Sequence, residues 1–183
     1  MGLAVEASEI HRLSSEEYQQ MVESGALQEL RVELIAGLLC DMSPPSPEHD
    51  GVIVYLNRLL ARGLDPDCYR LRPQMGLTIG NSAPQPDLAV VKTGAPQPYY
   101  PATAELVIEV SRSSLRRDLI VKPAIYGVAG VKEYWVIDLD HPRVVVHRQP
   151  TADGYRSHQE LGPGDVLDGR VVGIGGIPVA DVL

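Results

Sequence analysis

Phenylalanine is absent from this chain of 183 residues, and there are only two cysteines and one tryptophan. Leu, Val, Ile and Tyr must supply the apolar bulk, and the length suits one domain with a real core. Cys40 and Cys68 stand far apart with no Cys-x-x-Cys pair. That spacing argues against a disulfide framework or a zinc site, and for reduced thiols in a cytoplasmic protein. No apolar stretch is long enough to cross a bilayer, so no membrane partner is expected. The N-terminus has no basic region followed by a hydrophobic run, as a signal peptide would. Cations are scarce as well, and the formal net charge is -8. Loose, general adhesion to nucleic acid needs cations to neutralise phosphate, so that class is disfavoured. A local basic path beside an acidic site is still compatible with this balance.

What is present is acid where acid is expensive. Asp87 follows Pro86 and opens the apolar run Leu88-Ala89-Val90-Val91. Glu109 lies within Leu106-Val107-Ile108-Glu109-Val110. Both runs read as short buried strands. A carboxylate there must be paired, protonated or bound to metal. Two carboxylates converging from neighbouring strands make a site for a hard divalent cation such as Mg²⁺ or Mn²⁺. Strand alternation puts Glu109 on the face of Val107 and Ser111. The plainer reading is an Asp at a strand start, ordinary beside a turn, and a Glu paired with an arginine.

Around these runs the chain punctuates itself. Residues 1–12 read as a tail, followed by one domain over 13–183. Ser14 and Glu17 have capping-box spacing, which predicts a short helix to about Glu23, stopped by Gly25. Arg31 to Ile35 and Leu38 to Met42, around Ala36-Gly37, predict a hairpin. Ser46 is a candidate N-cap with Pro47 at the first helical position. Val52, Tyr55, Leu56, Leu59 and Leu60 then share a helical face up to Gly63. Further strands are expected at Tyr69 to Arg72, near Gly76 to Ile79, and in the Asp87 and Glu109 runs, these last two joined by a proline-rich connection from Thr93 to Pro101. Ser113 or Ser114 could cap a following helix. Glu133 to Asp138, Arg143 to His147 and Tyr155 to Leu161 complete the strands, with Asp153-Gly154 as a turn. The expected fold is α/β: a mixed sheet flanked by helices, with extra antiparallel strands.

Seven segments, in order over nearly the whole chain, carry a resemblance. They are Val32 to Gly37, Met42 to His49, Gln85-Pro86-Asp87-Leu88, Leu106 to Ser111, Ser113 to Asp118, Lys122 with Tyr126, and Gly130 to Asp138. Together they resemble the Uma-type endonuclease family, long called a domain of unknown function. That family is assigned to the PD-(D/E)XK restriction-endonuclease-like superfamily. The resemblance implies a metal-dependent endonuclease acting on nucleic acid, DNA first. Asp87 and Glu109 would hold the metal, with the Val110 carbonyl as a further ligand. A lysine two positions after Glu109 would complete the superfamily pattern, but Ser111 stands there. The family instead carries a lysine on the following helix, here Lys122.

Other residues divide between functional and plain readings. Asp118, Lys122 and Tyr126 are spaced by four and share a helix face, so Lys122 either serves the site or forms a surface ion pair with Asp118. Pro123 disturbs a continuous helix, because it removes a hydrogen bond. Glu33 belongs to the family's site, or is an exposed hairpin glutamate. His49 could touch substrate phosphate, or face solvent. Arg112, Arg116 and Arg117 could guide a phosphate backbone, or be a solvated helix start. Trp135 and Tyr134 read as core rather than as base-stacking groups. Two further readings stay open: a non-catalytic nucleic-acid- or protein-binding module on the same scaffold, and hydrolysis of a small phosphoester. Strands left exposed, and the need for two sites to cut two strands, point to a homodimer.

Overall fold

The computed structural model describes residues 9–94 and 100–183. Most of the expected tail, and the centre of the proline-rich connection, lie outside those residues. Among the described residues, ten strands and three α-helices follow one another. The helix α1 spans Ser15–Glu23, with the Ser14–Glu17 capping box formed in both directions. The strands β1 (Val32–Ile35) and β2 (Leu38–Asp41) pair antiparallel. Their turn has positive φ at both Ala36 and Gly37, as a type I′ hairpin requires. Next comes α2, Pro47–Gly63, capped by the Ser46 side chain.

The main sheet has six strands in the order β3-β4-β5-β6-β7-β8. These are Tyr69–Pro73, Leu88–Lys92, Leu106–Ser111, Glu133–Asp138, Arg143–Thr151 and Gly154–Leu161. Only β5 and β6 run parallel, because the chain between them crosses over through helix. Every other neighbouring pair is antiparallel. A small antiparallel pair, β9 (Val166–Gly169) and β10 (Ile174–Pro178), was not anticipated from the sequence. Its Gly-rich composition hides the strand alternation on which such readings depend. Conversely, the strand expected near Gly76 to Ile79 is a loop. It makes a single bridge, Ile79 to Ser82, and otherwise spends its backbone groups on Pro84 and Pro101.

Side-chain alternation gives the sheet two cores. Leu88, Val90, Leu106, Ile108, Val110, Trp135 and Ile137 pack with Val52, Leu56 and Leu60 of α2. Ala89, Val91, Val107, Tyr134 and Val136 face the other way and pack with Tyr126. Each fully buried Leu or Trp contributes on the order of 1.5–3 kcal/mol of transfer free energy. Trp135 and Tyr134 are thus core, as read from the sequence. Among the described residues no helix is long and apolar enough to cross a membrane.

The helical crossover after β5 departs from expectation in an informative way. It begins with π-helical geometry over Arg117–Val121, then continues as α3, Lys122–Val128. Neither part has a side-chain cap; the Ser113 hydroxyl instead bonds Ser43. The wider turn lets the α-helix restart at Lys122, with Pro123 in its first turn where a missing N–H costs nothing. Gly127 then seats α3 against the β7–β8 turn. A Cβ there would lie 2.1 Å from the Gly154 carbonyl oxygen.

Candidate active site

Leu88 pairs with Ile108 and Ala89 with Val107. Continuing that register carries Asp87 and Glu109 to the same end of the sheet, on the face that α3 covers. The strands separate at this point. The Val110 N–H turns to donate to Asp87 Oδ2 at 2.8 Å. Asp87 and Glu109 line one cavity of about 290 Å³, together with Val110, Glu33, His49, Asp118 and Lys122.

Lys122 is the hub. Its Nζ lies 2.8 Å from Glu109 Oε1, 3.1 Å from Asp118 Oδ1 and 3.3 Å from Glu33 Oε1. The Tyr126 hydroxyl donates to the same Glu109 Oε1 at 2.9 Å. Glu109 is therefore gripped through one oxygen, and Oε2 carries neither bond. The expected Asp118–Lys122 ion pair exists, but it is buried rather than on the surface. Asp118 is held in turn by the Ser111 hydroxyl at 2.6 Å. Ser111 stands where the superfamily's lysine would be, and it supports the helix that carries Lys122.

Glu33 is not an exposed hairpin residue; it is 2% exposed. Its Oε1 faces Arg117 Nε at 3.3 Å, and its Oε2 accepts from the Gln85 N–H at 3.2 Å. Arg117 also donates to the Asp41 carbonyl at 2.9 Å, which ties the hairpin to the crossover helix. His49, in the first turn of α2, is largely covered and reaches Asp87 Oδ1 at 3.2 Å. The other basic candidates lie outside this buried network, although Arg112 lines the same cavity. Arg112 bridges Glu48 at 3.6 Å and Asp140 at 3.1 Å on the rim, and Arg116 is exposed.

The charge balance is uneven. Four carboxylates, Glu33, Asp87, Glu109 and Asp118, meet two permanent cations, Lys122 and Arg117, at the buried end of the cavity, while the exposed Arg31 and Arg112 also line it. Burial pushes the Glu109 carboxyl well above its ordinary range. Lys122 opposes that shift, while Asp118, Asp87 and Glu33 add to it. Burial alone would lower the Lys122 ammonium, but Glu109, Asp118 and Glu33 outweigh it and hold it above the usual lysine range. The His49 imidazole is raised chiefly by its hydrogen bond to Asp87, against the opposing effect of burial.

Among the described residues, no three His, Cys, Asp or Glu side chains converge as a preformed metal cage. The residues that could hold an ion are Asp87 and Glu109, with Val110 lining the same cavity. Such a set suits Mg²⁺, which keeps several waters and takes one or two protein carboxylates. The surplus of negative charge beside a polar cavity fits the same ion.

Sequence reasoning singled out most of these side chains but treated two too lightly. From the sequence Asp118 reads only as a partner for Lys122, although its four-residue spacing places it on the same helix face. Gln85 was seen only as part of the Gln85-Pro86-Asp87 segment.

The comparisons with known proteins agree with this architecture. A family model named Uma2, described as "Putative restriction endonuclease", matches residues 15–180. A crystal structure described as a "putative nuclease belonging to DUF820 from Anabaena variabilis ATCC 29413" superposes with a TM-score of 0.73. It is 16% identical, and the match covers 93% of this chain and 97% of that one. This likeness establishes that the two chains share a fold. No curated protein matches the chain. With the family model spanning nearly its full length, the chain belongs to the Uma2 family of restriction-endonuclease-like proteins.

Proposed function

We propose that this protein is a metal-dependent endonuclease that hydrolyses phosphodiester bonds, in DNA before RNA. The observation that supports this most is the Lys122 ammonium fixed on Glu109, in a cavity that also holds Asp87 and Glu33. Asp87, Glu109 and the Val110 carbonyl would hold Mg²⁺ or Mn²⁺. The ion would supply a Lewis acid for the phosphoryl oxygens and a more acidic bound water.

The chain's own groups divide the remaining work. Glu109 presents one oxygen to the cavity because Lys122 and Tyr126 hold the other. Lys122 keeps its proton, so it stabilises developing negative charge and orients the attacking water rather than accepting a proton. Glu33 and Asp118 fix the ammonium, and Arg117 fixes Glu33. His49 stands beside Asp87 at the cavity wall, where a protonated imidazole could donate to a substrate phosphate oxygen. A homodimer with two such sites, cutting two strands, belongs to the same reading.

The test is nicking of supercoiled plasmid with Mn²⁺ or Mg²⁺. Cleavage that EDTA stops, and that Glu109→Gln lacks, is the expected result. A wild-type protein that cuts no DNA or RNA form would instead favour a binding module on this scaffold.

A further inference from the structure

A second, larger cavity of about 1070 Å³ adjoins the site. It lies between α1 and the loop from Gln74 to Gln85, with Tyr100 on one side. Gln74 and Gln85 line both cavities, so the two are neighbours through these residues. Among the described residues no lysine or arginine lines the larger one, while Glu16 and Glu23 do. Its chemistry is therefore wrong for phosphate and right for a neutral, planar group with donors and acceptors. Side-chain amides and tyrosine rings provide hydrogen bonds and a stacking surface of that kind. The Tyr100 ring is packed against Gly76, where an added Cβ would come within 3.3 Å of it.

Gln74 is the unusual residue of this wall. Its φ is +50°, a left-handed conformation that a long side chain seldom adopts. Both backbone groups are pinned there. The Gln74 N–H donates to the Asp87 carbonyl at 2.9 Å, and its carbonyl accepts from Gln85 Nε2 at 2.8 Å. Backbone strain of this kind, here one hydrogen bond from a site residue, clusters at functional sites. The result is an exposed glutamine at the junction of the two cavities.

We propose that the second cavity binds an unpaired nucleobase of the strand whose phosphate lies over Asp87 and Glu109, and that the Gln74 amide reads that base. This rests on the phosphodiesterase reading for the path of the strand. A glutamine amide can pair bidentately with an adjacent donor and acceptor on a base edge, as it does with N6 and N7 of adenine, and the base preferred is read from the product ends.

The decisive variant is Gln74→Gly, which deletes the amide and suits the left-handed backbone. Wild type and variant would cleave a randomised single-stranded DNA pool with Mn²⁺, and the product ends would be sequenced. The wild type should show a base preference at one fixed position beside the cut. Gln74→Gly should reduce that preference about tenfold while still cutting, and should melt no lower. Gln20→Ala, on the far wall, should weaken the preference without abolishing it. Fluorescein-labelled oligonucleotides that differ only at that position, titrated in Ca²⁺ by anisotropy, should show the same discrimination and the same loss. Ends without base bias in the wild type, or a bias unchanged in Gln74→Gly, would overturn the subsite while leaving the nuclease reading intact. Base-selective binding lost in Gln74→Gly, with no cleavage of any substrate, would keep the subsite and remove the catalytic reading.

Discussion

Two glutamates sit buried on neighbouring parallel strands and meet opposite fates. Glu133 on β6 faces the α2 side and is paired with Arg148, while its second oxygen accepts from the Val171 N–H at 3.2 Å. Arg148 goes on to donate to the Asp168 carbonyl at 3.0 Å, fastening β9 to the sheet. One charge meets one countercharge, and every oxygen has a partner. Glu109 on β5 faces the α3 side, where buried carboxylates outnumber the buried cation and both of its hydrogen bonds fall on one oxygen beside a cavity. A buried carboxylate therefore does not by itself mark a site. The surplus of charge and the open volume do.

The largest effect should come from breaking the balanced pair. Arg148→Met strands the Glu133 charge and should cost about 3–5 kcal/mol in urea unfolding, whereas adding Glu133→Leu should recover most of it. A single variant as stable as wild type would mean that the Arg148 pairing carries no net weight, and the contrast with Glu109 would weaken.

The second effect is catalytic. Lys122→Ala should lower metal-dependent nicking by about two to three orders of magnitude, the usual scale for one group that stabilises transition-state charge. Manganese affinity should not fall, because the lysine is not a ligand and its loss only adds to the negative surplus. Lys122→Met keeps the packing of the stem and should be equally inactive. Full activity in Lys122→Ala would reduce the lysine to an ion-pair partner of Asp118.

Much of this site was legible in the sequence, for identifiable reasons. Asp87 and Glu109 stood out because acid interrupts apolar runs, and alternation alone put Glu109 on the correct face. The α2 cap and the hairpin turn were readable because each depends on residues adjacent in sequence. What failed was non-local. The burial of Glu33 depends on Arg117 and Gln85, far away along the chain. The π-helical turn was invisible because the spacing of Asp118, Lys122 and Tyr126 matches an ordinary helix, and only Pro123 hinted otherwise. The β9–β10 pair lacks periodic apolar residues, so nothing local announced it.

Relief of like-charge crowding should be smaller and of opposite sign. Asp87 pushes the Glu109 carboxyl upward, so Asp87→Asn should leave the fold intact and raise metal-free stability by about 1 kcal/mol, while cleavage is lost. Calorimetry showing the variant unfolded would mark Asp87 as structural.

The smallest effect concerns pH. The His49 pKa is raised above its ordinary 6.5, so its contribution is fully present below that value and is lost as pH rises through the folded-state pKa. In EDTA, the wild-type melting temperature should therefore fall more steeply above about pH 6.5 than that of His49→Gln. Parallel curves would deny the Asp87 contact any energetic weight.

The central claim is that charge surplus at Asp87 and Glu109 constitutes a divalent-cation site. Calorimetric titration of Mn²⁺ into wild type, Asp87→Asn, Glu109→Gln and Glu133→Gln tests it most directly. Binding in wild type and Glu133→Gln, lost in both Asp87→Asn and Glu109→Gln, is the predicted result. Binding that survives in Asp87→Asn and Glu109→Gln, or is absent from wild type, would contradict it.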